Sequence, residues 1–478
     1  MQVSIRPDLF LPELFQIVIL LVLFAQSISR HSTLRNDASW VPWGAAVGVA
    51  VSFAAMTAQG QLFHGAYRVD MMSQFFKLAI AVGFFIGTLN AVRQPTLEKD
   101  KESDYFLFLG FSALGLMFLA SSAELITIYV ALEISSYSLY AIIPIRAKER
   151  SAAEAGIKYI LFGAVATAVS LYGLSYILAS QHSSYLVDLA QADWSWANNP
   201  MAVVGLSLFL AGMFYKLALF PFHFWCPDVY EGASNETAAY VATLPKLGAV
   251  VVLVRLAALL TPGMEVTLIF AILGAVSMTF GNLSALVQRD VKRMLGYSSV
   301  SHAGYVMLGL VAGTAQGLAA AAFYSLVYIL MNLTCFWVIC KTSEDGRNVK
   351  LDDLNGLYRR SPYMAMVLAV AAFALVGLPP TAGFIGKFFL LTSAWNHGYN
   401  WFVIVAAVNT AIAIYYYLSL VRHAYTVEPE DAARLEPVDE GPMTRVWGTV
   451  LAAAILLLGA VPGPVFEFAA EAGRQLMR

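Results

Sequence analysis

Apolar runs of about twenty residues recur along the whole chain, separated by short polar segments. A transmembrane helix needs about 20 mostly apolar residues. The runs predict spans at 9–29, 39–59, 70–92, 103–121, 123–145, 154–180, 200–224, 238–260, 264–286, 294–313, 317–340, 362–392, 400–421 and 445–466, about fourteen in all. The first span has Arg6 before it and no small-residue cleavage pattern after it, so it reads as a retained helix rather than a signal peptide. The longest charged gaps, 341–361 and 422–445, are loop-sized, and no soluble domain is expected. The predicted fold is an all-α polytopic membrane protein, a single membrane domain over 1–478.

Composition supports this. Hydrophobic residues make up 59% of the 478 positions and charged residues 13%, against about 25% charged in an ordinary soluble domain. So few charges could not cover a soluble surface, which excludes a soluble enzyme and a disordered chain. A net charge of −2 offers no basic footprint for nucleic acid. Cys226, Cys335 and Cys340 lack CxxC spacing, which argues against zinc or iron–sulfur ligation, and each reads as a small buried hydrophobe. No metal or cofactor site is expected on this chain.

Charge along the loops predicts orientation. Loops after the odd-numbered spans hold 19 of the Lys and Arg residues, and the opposite side holds 4 (Arg6, Arg68, Arg474, Arg478). The positive-inside rule then puts the odd loops in the cytoplasm and both termini outside it. Six cations fall inside spans: Lys77, Lys158, Lys216, Lys246, Arg255 and Lys387. Lys77 and Arg255 lie nearer span ends, where a long side chain can reach the interface. Lys216, Lys246 and Lys387 sit in GMFYKLALF, ATLPKLGAV and GFIGKFFLL, and Glu133 and His302 in YVALEISSYSL and SVSHAGYVML. An ionisable group at mid-bilayer costs about 2.5–3.5 kcal/mol on insertion scales, so such groups mark proton or ion pathways or structural ion pairs.

Two spans carry breakers. The seventh runs into LALFPFHFWCPDVYEGA with Pro221 and Pro227, and the twelfth contains VGLPPTAGFIGKFF with Pro379, Pro380, Gly383 and Gly386. Unpaired backbone at membrane depth survives only inside protein or beside water, so both breaks are expected to be buried and hydrated. A weak repeat pairs the regions: Glu133 to His302 and Tyr159 to Tyr328 are each 169 apart, and Lys216 to Lys387 is 171. Spans 4–8 then match spans 9–13. Five helices per unit is odd, so the second copy is inverted, each unit having one broken helix, as in many ion transporters. The division expected is a three-helix segment at 1–102, units at 103–260 and 264–421, and a C-terminal helix within 422–478.

AGIKYILFGAVAT (155–167), FHFWCPDVYEGAS (222–234), RDVKRMLGYSSVSHAGY (289–305) and LPPTAGFIGKFFL (378–390) resemble the antiporter-like membrane subunits of respiratory complex I. Together with LPE at 11–13 they are most similar to the N-type subunit, over about residues 9–466. The resemblance implies fourteen helices with two inverted units and a polar axis along the membrane midplane. Glu133 would face Lys216, and Lys246 would link them to His302 and Lys387, the expected proton-transfer residues; Lys158 and His223 are secondary candidates. Burial disfavours a lysine's charged form and a nearby carboxylate restores it, so moving that carboxylate's charge would switch the lysine between holding and releasing a proton. Such groups titrate as a coupled set.

The resemblance further implies a proton-translocating subunit of NADH–quinone oxidoreductase. NADH, FMN, iron–sulfur clusters and quinone would belong to partner subunits. Further antiporter-like chains would be neighbours in a bacterial inner membrane, with both termini periplasmic. A subunit of a multisubunit sodium/proton antiporter, a related membrane-bound hydrogenase or photosynthetic NDH-type complex, and a passive scaffold are the alternatives.

Overall fold

A computed structural model describes residues 6–29, 37–146, 149–257, 265–395, 397–426 and 441–477. Helices dominate it: α1 Leu11–Ser27, α2 Val41–Ala54, α3 Met71–Ala91, α4 Glu102–Ser121, α5 Leu125–Ile142, α6 Arg150–Gln181, α7 Pro200–Leu217, α8 Trp225–Gly232, α9 Asn235–Val241, α10 Leu244–Leu256, α11 Glu265–Ala285, α12 Val291–Val311, α13 Ala315–Thr342, α14 Pro362–Val376, α15 Ala382–Ala394, α16 Asn400–Tyr425, α17 Pro442–Ala460 and α18 Gly463–Leu476. Every predicted span has a helix or a helix pair in its place. Among the described residues, 11 helical stretches are long and apolar enough to cross a membrane by themselves. The helices α2, α14 and α15 are shorter and apolar, and α12 carries Lys292 and Arg293 in its first turn. Fourteen crossings therefore stay an expectation.

Polar caps set where several helices begin. Asp70 and Ser73 form a reciprocal capping box on α3, Glu124 accepts from the Thr127 amide on α5 (2.7 Å), and Asp290 accepts from the Arg293 amide on α12 (2.9 Å). Such groups satisfy amides that a helix start leaves unpaired.

Alternate connections gather on two faces. On one, here the odd face, Asp290 pairs with Lys350 and Arg146 donates to the Gly346 carbonyl (3.1 Å), joining the connections after spans 5, 9 and 11. On the other, the even face, Tyr67 pairs with Ser122 and Glu124 with Tyr185. Leu9 packs on Tyr67 and Val69 there, and Phe468 of α18 stacks on Phe75 near the start of α3. The described residues nearest both chain ends thus share the even face. Of the loop cations counted from sequence, Arg30, Arg35, Lys148, Arg434 and Arg478 lie outside the described residues. Lys292 and Arg146 do not project as loop cations but are buried.

The two expected breaks are present and built alike. Phe214, Ala218, Leu219 and Pro221 recur 159 positions later as Phe373, Gly377, Leu378 and Pro380. Ala218 (φ 60°) and Gly377 (φ 87°) are both left-handed. The next amide in each case reaches back to the phenylalanine carbonyl, Leu219 to Phe214 (2.8 Å) and Leu378 to Phe373 (2.9 Å), the Schellman closure of a helix end. Spans 4–5 and 9–10 match at a different spacing. A side chain at Gly115 would meet the Ser135 amide and Ala131 carbonyl, and one at Gly281 the Ser301 amide and Tyr297 carbonyl, 166 positions on. These contacts correct the register read from sequence: Glu133 matches Ser299, not His302, and Lys216 matches Leu375, not Lys387.

Four further features depart from expectation. Span 8 is itself interrupted, between α9 and α10 at Thr243 (φ −124°, ψ −68°) just before Pro245, so the first unit has two breaks. Residues Gly60–Leu62 (β1) and Tyr67–Val69 (β2) form a small antiparallel hairpin, an exception to an all-α fold. The last predicted span, 445–466, ends early at α17, and α18 follows as a separate helix burying Ala469, Ala470, Ala472 and Gly473. Lys77 and Arg255 do not reach an interface. Lys77 and Glu13 form an ion pair (2.7 Å) with both side chains 0% exposed, Tyr67 donates to the same carboxylate (2.6 Å), and Arg255 grips Asp70 with two nitrogens (3.0 and 3.1 Å). Lys77 sits on the second turn of α3, too deep for its stem to escape past α1 and β2.

Removing one partner of a buried pair strands the other charge, at a cost of about 3–5 kcal/mol, whereas an apolar replacement of both is often neutral. Lys77→Met is therefore expected to lower the thermal stability of the purified protein sharply, and the double variant Glu13→Leu, Lys77→Met to recover most of it. Denaturation curves in detergent measure both; equal losses would contradict the pairing.

Candidate functional site

The expected axis residues lie in buried places along the middle of the bundle, each held by an element whose local sequence explains it. Lys216 is in the last turn of α7, two residues before the left-handed Ala218, and is 6% exposed. Its ammonium donates to Ser136 on α5 (2.6 Å) and lies 5.6–5.8 Å from the ring centres of Tyr140, Tyr159 and Tyr215. Glu133 is one turn earlier on α5, its carboxylate accepting from Thr167 of α6 (2.9 Å). The two charges are within Coulombic reach, yet among the described residues they form no ion pair. The expected facing pair is thus not in direct contact: Lys216 meets Ser136, whose hydroxyl donates to the Leu132 carbonyl (2.7 Å), and Glu133 turns to Thr167 of α6.

Past Lys216 a small cavity of about 10 Å³ is lined by Ser135, Ser136, Tyr159 and Pro245 among others, at the lower limit for one water. Pro245 belongs to the break in span 8, and Lys246 follows it. Lys246 donates to the Ser299 hydroxyl of α12 and approaches the Cys226 sulfur of α8 (3.6 Å). Ser299 also meets Tyr230 (3.1 Å) and Tyr328 (2.8 Å). A second cavity, about 20 Å³, has Lys246, Ser299, His302, Tyr324 and Tyr328 on its walls, room for a water.

His302 is buried with both ring nitrogens engaged, Nδ1 with the Tyr324 hydroxyl (2.5 Å) and Nε2 with the Tyr417 hydroxyl (2.9 Å). One nitrogen can take up a proton while the other gives one up, with no ring rotation. Lys387 lies on α15, beyond the second break, over the Tyr305 ring (4.5 Å). It donates to the carbonyls of Leu375 (3.3 Å) and Val376 (2.9 Å). In a continuous helix those carbonyls would accept from residues 379 and 380. Both are proline and have no N–H, so the lysine supplies the donors the sequence withholds.

The two secondary candidates fall outside this line. Lys158 is about one-third exposed and pairs with Glu154 (2.8 Å) and Asp228 (2.7 Å). Arg293 bridges Asp228 (2.8 Å) and Glu231 (2.6 Å) in the same cluster at the odd face. His223 is buried in the first break against the rings of Phe220 and Phe280, with Nδ1 lacking a partner. Sequence reasoning missed Ser136, Ser299, Tyr324, Tyr328 and Tyr417. A signal existed for two of them: Ser136 follows Glu133 by three, and Ser299 precedes His302 by three, so each shares a helix face with its ionisable neighbour. Cys226, read as a bland hydrophobe, is buried but touches Lys246. Among the described residues no cluster of three His, Cys, Asp or Glu side chains is placed to hold a metal ion.

The family described as NADH:quinone oxidoreductase/Mrp antiporter, TM, matches residues 122–413. Over 466 residues the chain is 61% identical to NADH-quinone oxidoreductase subunit N 2 of Solidesulfovibrio magneticus, covering 98% of each chain. The chain belongs to the NADH-quinone oxidoreductase subunit N family. A subunit N 2 of Opitutus terrae is 44% identical over 457 residues, with 95% of each chain covered. Among solved structures, a chain of respiratory complex I from Thermus thermophilus superposes with a TM-score of 0.82 at 33% identity, covering 97% of this chain and 99% of that one. A chain of the Mrp complex from Dietzia sp. superposes at 0.87 with 18% identity over 99% and 98% of the two chains; at that distance only the fold is shared. Subunit N membership is consistent with every motif from which the resemblance was read.

Lys387→Met would leave the carbonyls of Leu375 and Val376 buried and unpaired. Each unsatisfied group costs about 1–3 kcal/mol, so a marked fall in thermal stability is expected, with Lys387→Arg falling less because it keeps N–H donors. Melting of the three purified proteins checks the order.

Proposed function

We propose that this chain is the proton-translocating N-type membrane subunit of an NADH–quinone oxidoreductase. The observation that carries the reading is the line of buried ionisable groups Lys216, Lys246 and His302, joined by hydroxyls and two water-sized cavities, with Lys387 beyond them over the Tyr305 ring. A proton reaching Lys246 can pass through the cavity to His302, which is flanked by two tyrosine hydroxyls, and on toward Lys387. Water bridges the gaps between groups too far apart for direct transfer. Glu133 and Lys216 form the input pair: a change in the charge near Glu133 alters how firmly Lys216 holds its proton, and Lys216 in turn biases Lys246. Lys387 is the release site, since α15 runs from the break toward the even-face connection. We assign the even face, with both termini, to the periplasm, and the protein to the bacterial inner membrane.

Oxidation of NADH and reduction of quinone, with FMN and iron–sulfur clusters, belong in this reading to partner subunits, and other antiporter-like chains are its membrane neighbours. The segment at 1–102, the units at 103–260 and 264–421, and the remainder from 422 are its working divisions. The matching family includes Mrp antiporters, which keeps a sodium/proton carrier as the second reading; 61% identity to a subunit N over nearly the whole chain favours the first.

Lys216→Ala and Glu133→Gln are expected to lower proton pumping far more than the amount of assembled complex. At Lys387, Arg should fail nearly as badly as Ala, because arginine stays charged and cannot release its proton. Pumping in vesicles, normalised to assembled complex, tests these together; near-normal pumping by Lys387→Arg would overturn the release role. Orientation is tested separately. A cysteine at exposed Lys350 should label only from the cytoplasmic side, and one at exposed Ala197, in the connection between α6 and α7, only from the periplasmic side. The reverse pattern would invert the assignment.

A further inference from the structure

Buried polar atoms without a protein partner gather on the odd-face side of Lys246, where α3, α9 and α13 pack against one another. Glu236, in the first turn of α9, is 2% exposed. One carboxylate oxygen accepts from Thr96 (2.5 Å), and the other is buried with no partner. Asn90 on α3 is 0% exposed, and both ends of its amide are unpartnered. Gly83 and Gly87, on the preceding turns of α3, press against Leu244 and Tyr240, so Asn90 continues the same face down α9. On α13, Asn332 donates to the Tyr328 hydroxyl (2.6 Å), while its carbonyl oxygen is buried and unpartnered. Orphaned polar groups of this kind are satisfied by buried water, each water usually joining two to four of them.

From Asn332 the connection to the axis is continuous. Tyr328 meets Ser299 (2.8 Å), and Ser299 accepts from Lys246. Tyr328 also donates to the Ala242 carbonyl (3.2 Å), beside the break between α9 and α10.

We propose that the contact line of α3, α9 and α13 is a hydrated proton inlet from the odd face to Lys246, with Glu236 as its proton-transfer residue. This rests on the reading of Lys246 as a proton site. A hydronium ion at the odd face gives its proton to the Glu236 carboxylate and leaves as water. The neutral acid passes the proton to water held by Asn90 and Asn332, which anchor water and do not titrate. The Tyr328 hydroxyl accepts it on oxygen, turns its own proton from the Ala242 carbonyl to Ser299 and releases it there, and Ser299 does the same toward the neutral Lys246 amine. Glu236 is a carboxylate again at the end, and one proton has moved. The bland alternative makes Glu236 a counter-ion. The titratable and charged groups around it are Lys292 of α12, with Arg146 and Asp290 beside that lysine, Cys340 of α13 with Lys341, and Tyr105 of α4.

The test uses the assembled complex in vesicles with the odd face outward, pumping rate being measured against external pH. Glu236→Gln should slow pumping roughly tenfold or more, as loss of a positioned proton carrier does, with the deficit growing as the medium becomes alkaline and protons scarce. Glu236→Asp should retain most of the rate. Asn332→Leu, which touches no charge, should also slow pumping, and Lys246→Met should abolish it at every pH. Wild-type rates for Glu236→Gln and Asn332→Leu beside a dead Lys246→Met would overturn the inlet and leave the axis standing. A pH-independent loss in Glu236→Gln with a normal Asn332→Leu would assign Glu236 as a counter-ion and overturn the inlet too. Should Glu236→Gln fail to assemble, Asn332→Leu and Asn90→Leu decide the matter by the same criterion. A normally pumping Lys246→Met would instead remove the underlying reading.

Discussion

Within a bilayer, a backbone carbonyl with no helical donor and an ammonium with no carboxylate are each costly, and this protein sets one against the other. Pro379 and Pro380 withhold two N–H groups, the carbonyls of Leu375 and Val376 are left bare, and Lys387 fills the gap. The break needs the lysine to be tolerable, and the lysine needs the break to be held without a permanent counter-ion. A lysine bonded to neutral carbonyls can lose its proton without stranding a carboxylate, which an ion-paired lysine such as Lys77 cannot do.

The same restraint governs the rest of the axis. Lys216 and Lys246 rest on serine hydroxyls and His302 on tyrosine hydroxyls, groups that both donate and accept. Firm ion pairs are kept off the line: Lys77 with Glu13 and Arg255 with Asp70 tie α1, α3 and α10 together near the even face, and Lys158, Arg293 and Asp228 tie α6, α8 and α12 together at the odd face. These structural charges are thus paired, and charges in the proposed pathway are solvated by neutral dipoles. Glu133 stands between these classes, close enough to influence Lys216 and too far to lock it.

Much of this was legible in advance. Helical runs, the two proline breaks and the five buried ionisable groups proposed as an axis follow from hydropathy, from proline chemistry and from the cost of burying charge, each of which acts through a few adjacent positions. The third break, at Thr243, escaped because the apolar run continues through it and hydropathy shows one span, although Pro245 removes a backbone donor inside 238–260. The repeat register escaped because three shared residue types at two offsets carry little information, whereas Gly115 and Gly281, each pressed against a neighbouring backbone, show the equivalence directly. The short hairpin and α18 escaped because neither has the apolar length by which the other elements were recognised.

The sequence alone determined that the chain is a membrane helix bundle, where two of its helices break, and that Glu133, Lys216, Lys246, His302 and Lys387 are buried, since apolar length and absent amide donors are properties of the chain itself. The fold decided which of those charges are mutually neutralised. Lys77 and Lys216 are each a buried lysine in an apolar helix, but one meets Glu13 from a helix more than forty residues away and the other meets Ser136. A partner brought in by packing, rather than by the local sequence, makes the difference between a clasp and the lysine we assign to proton transfer.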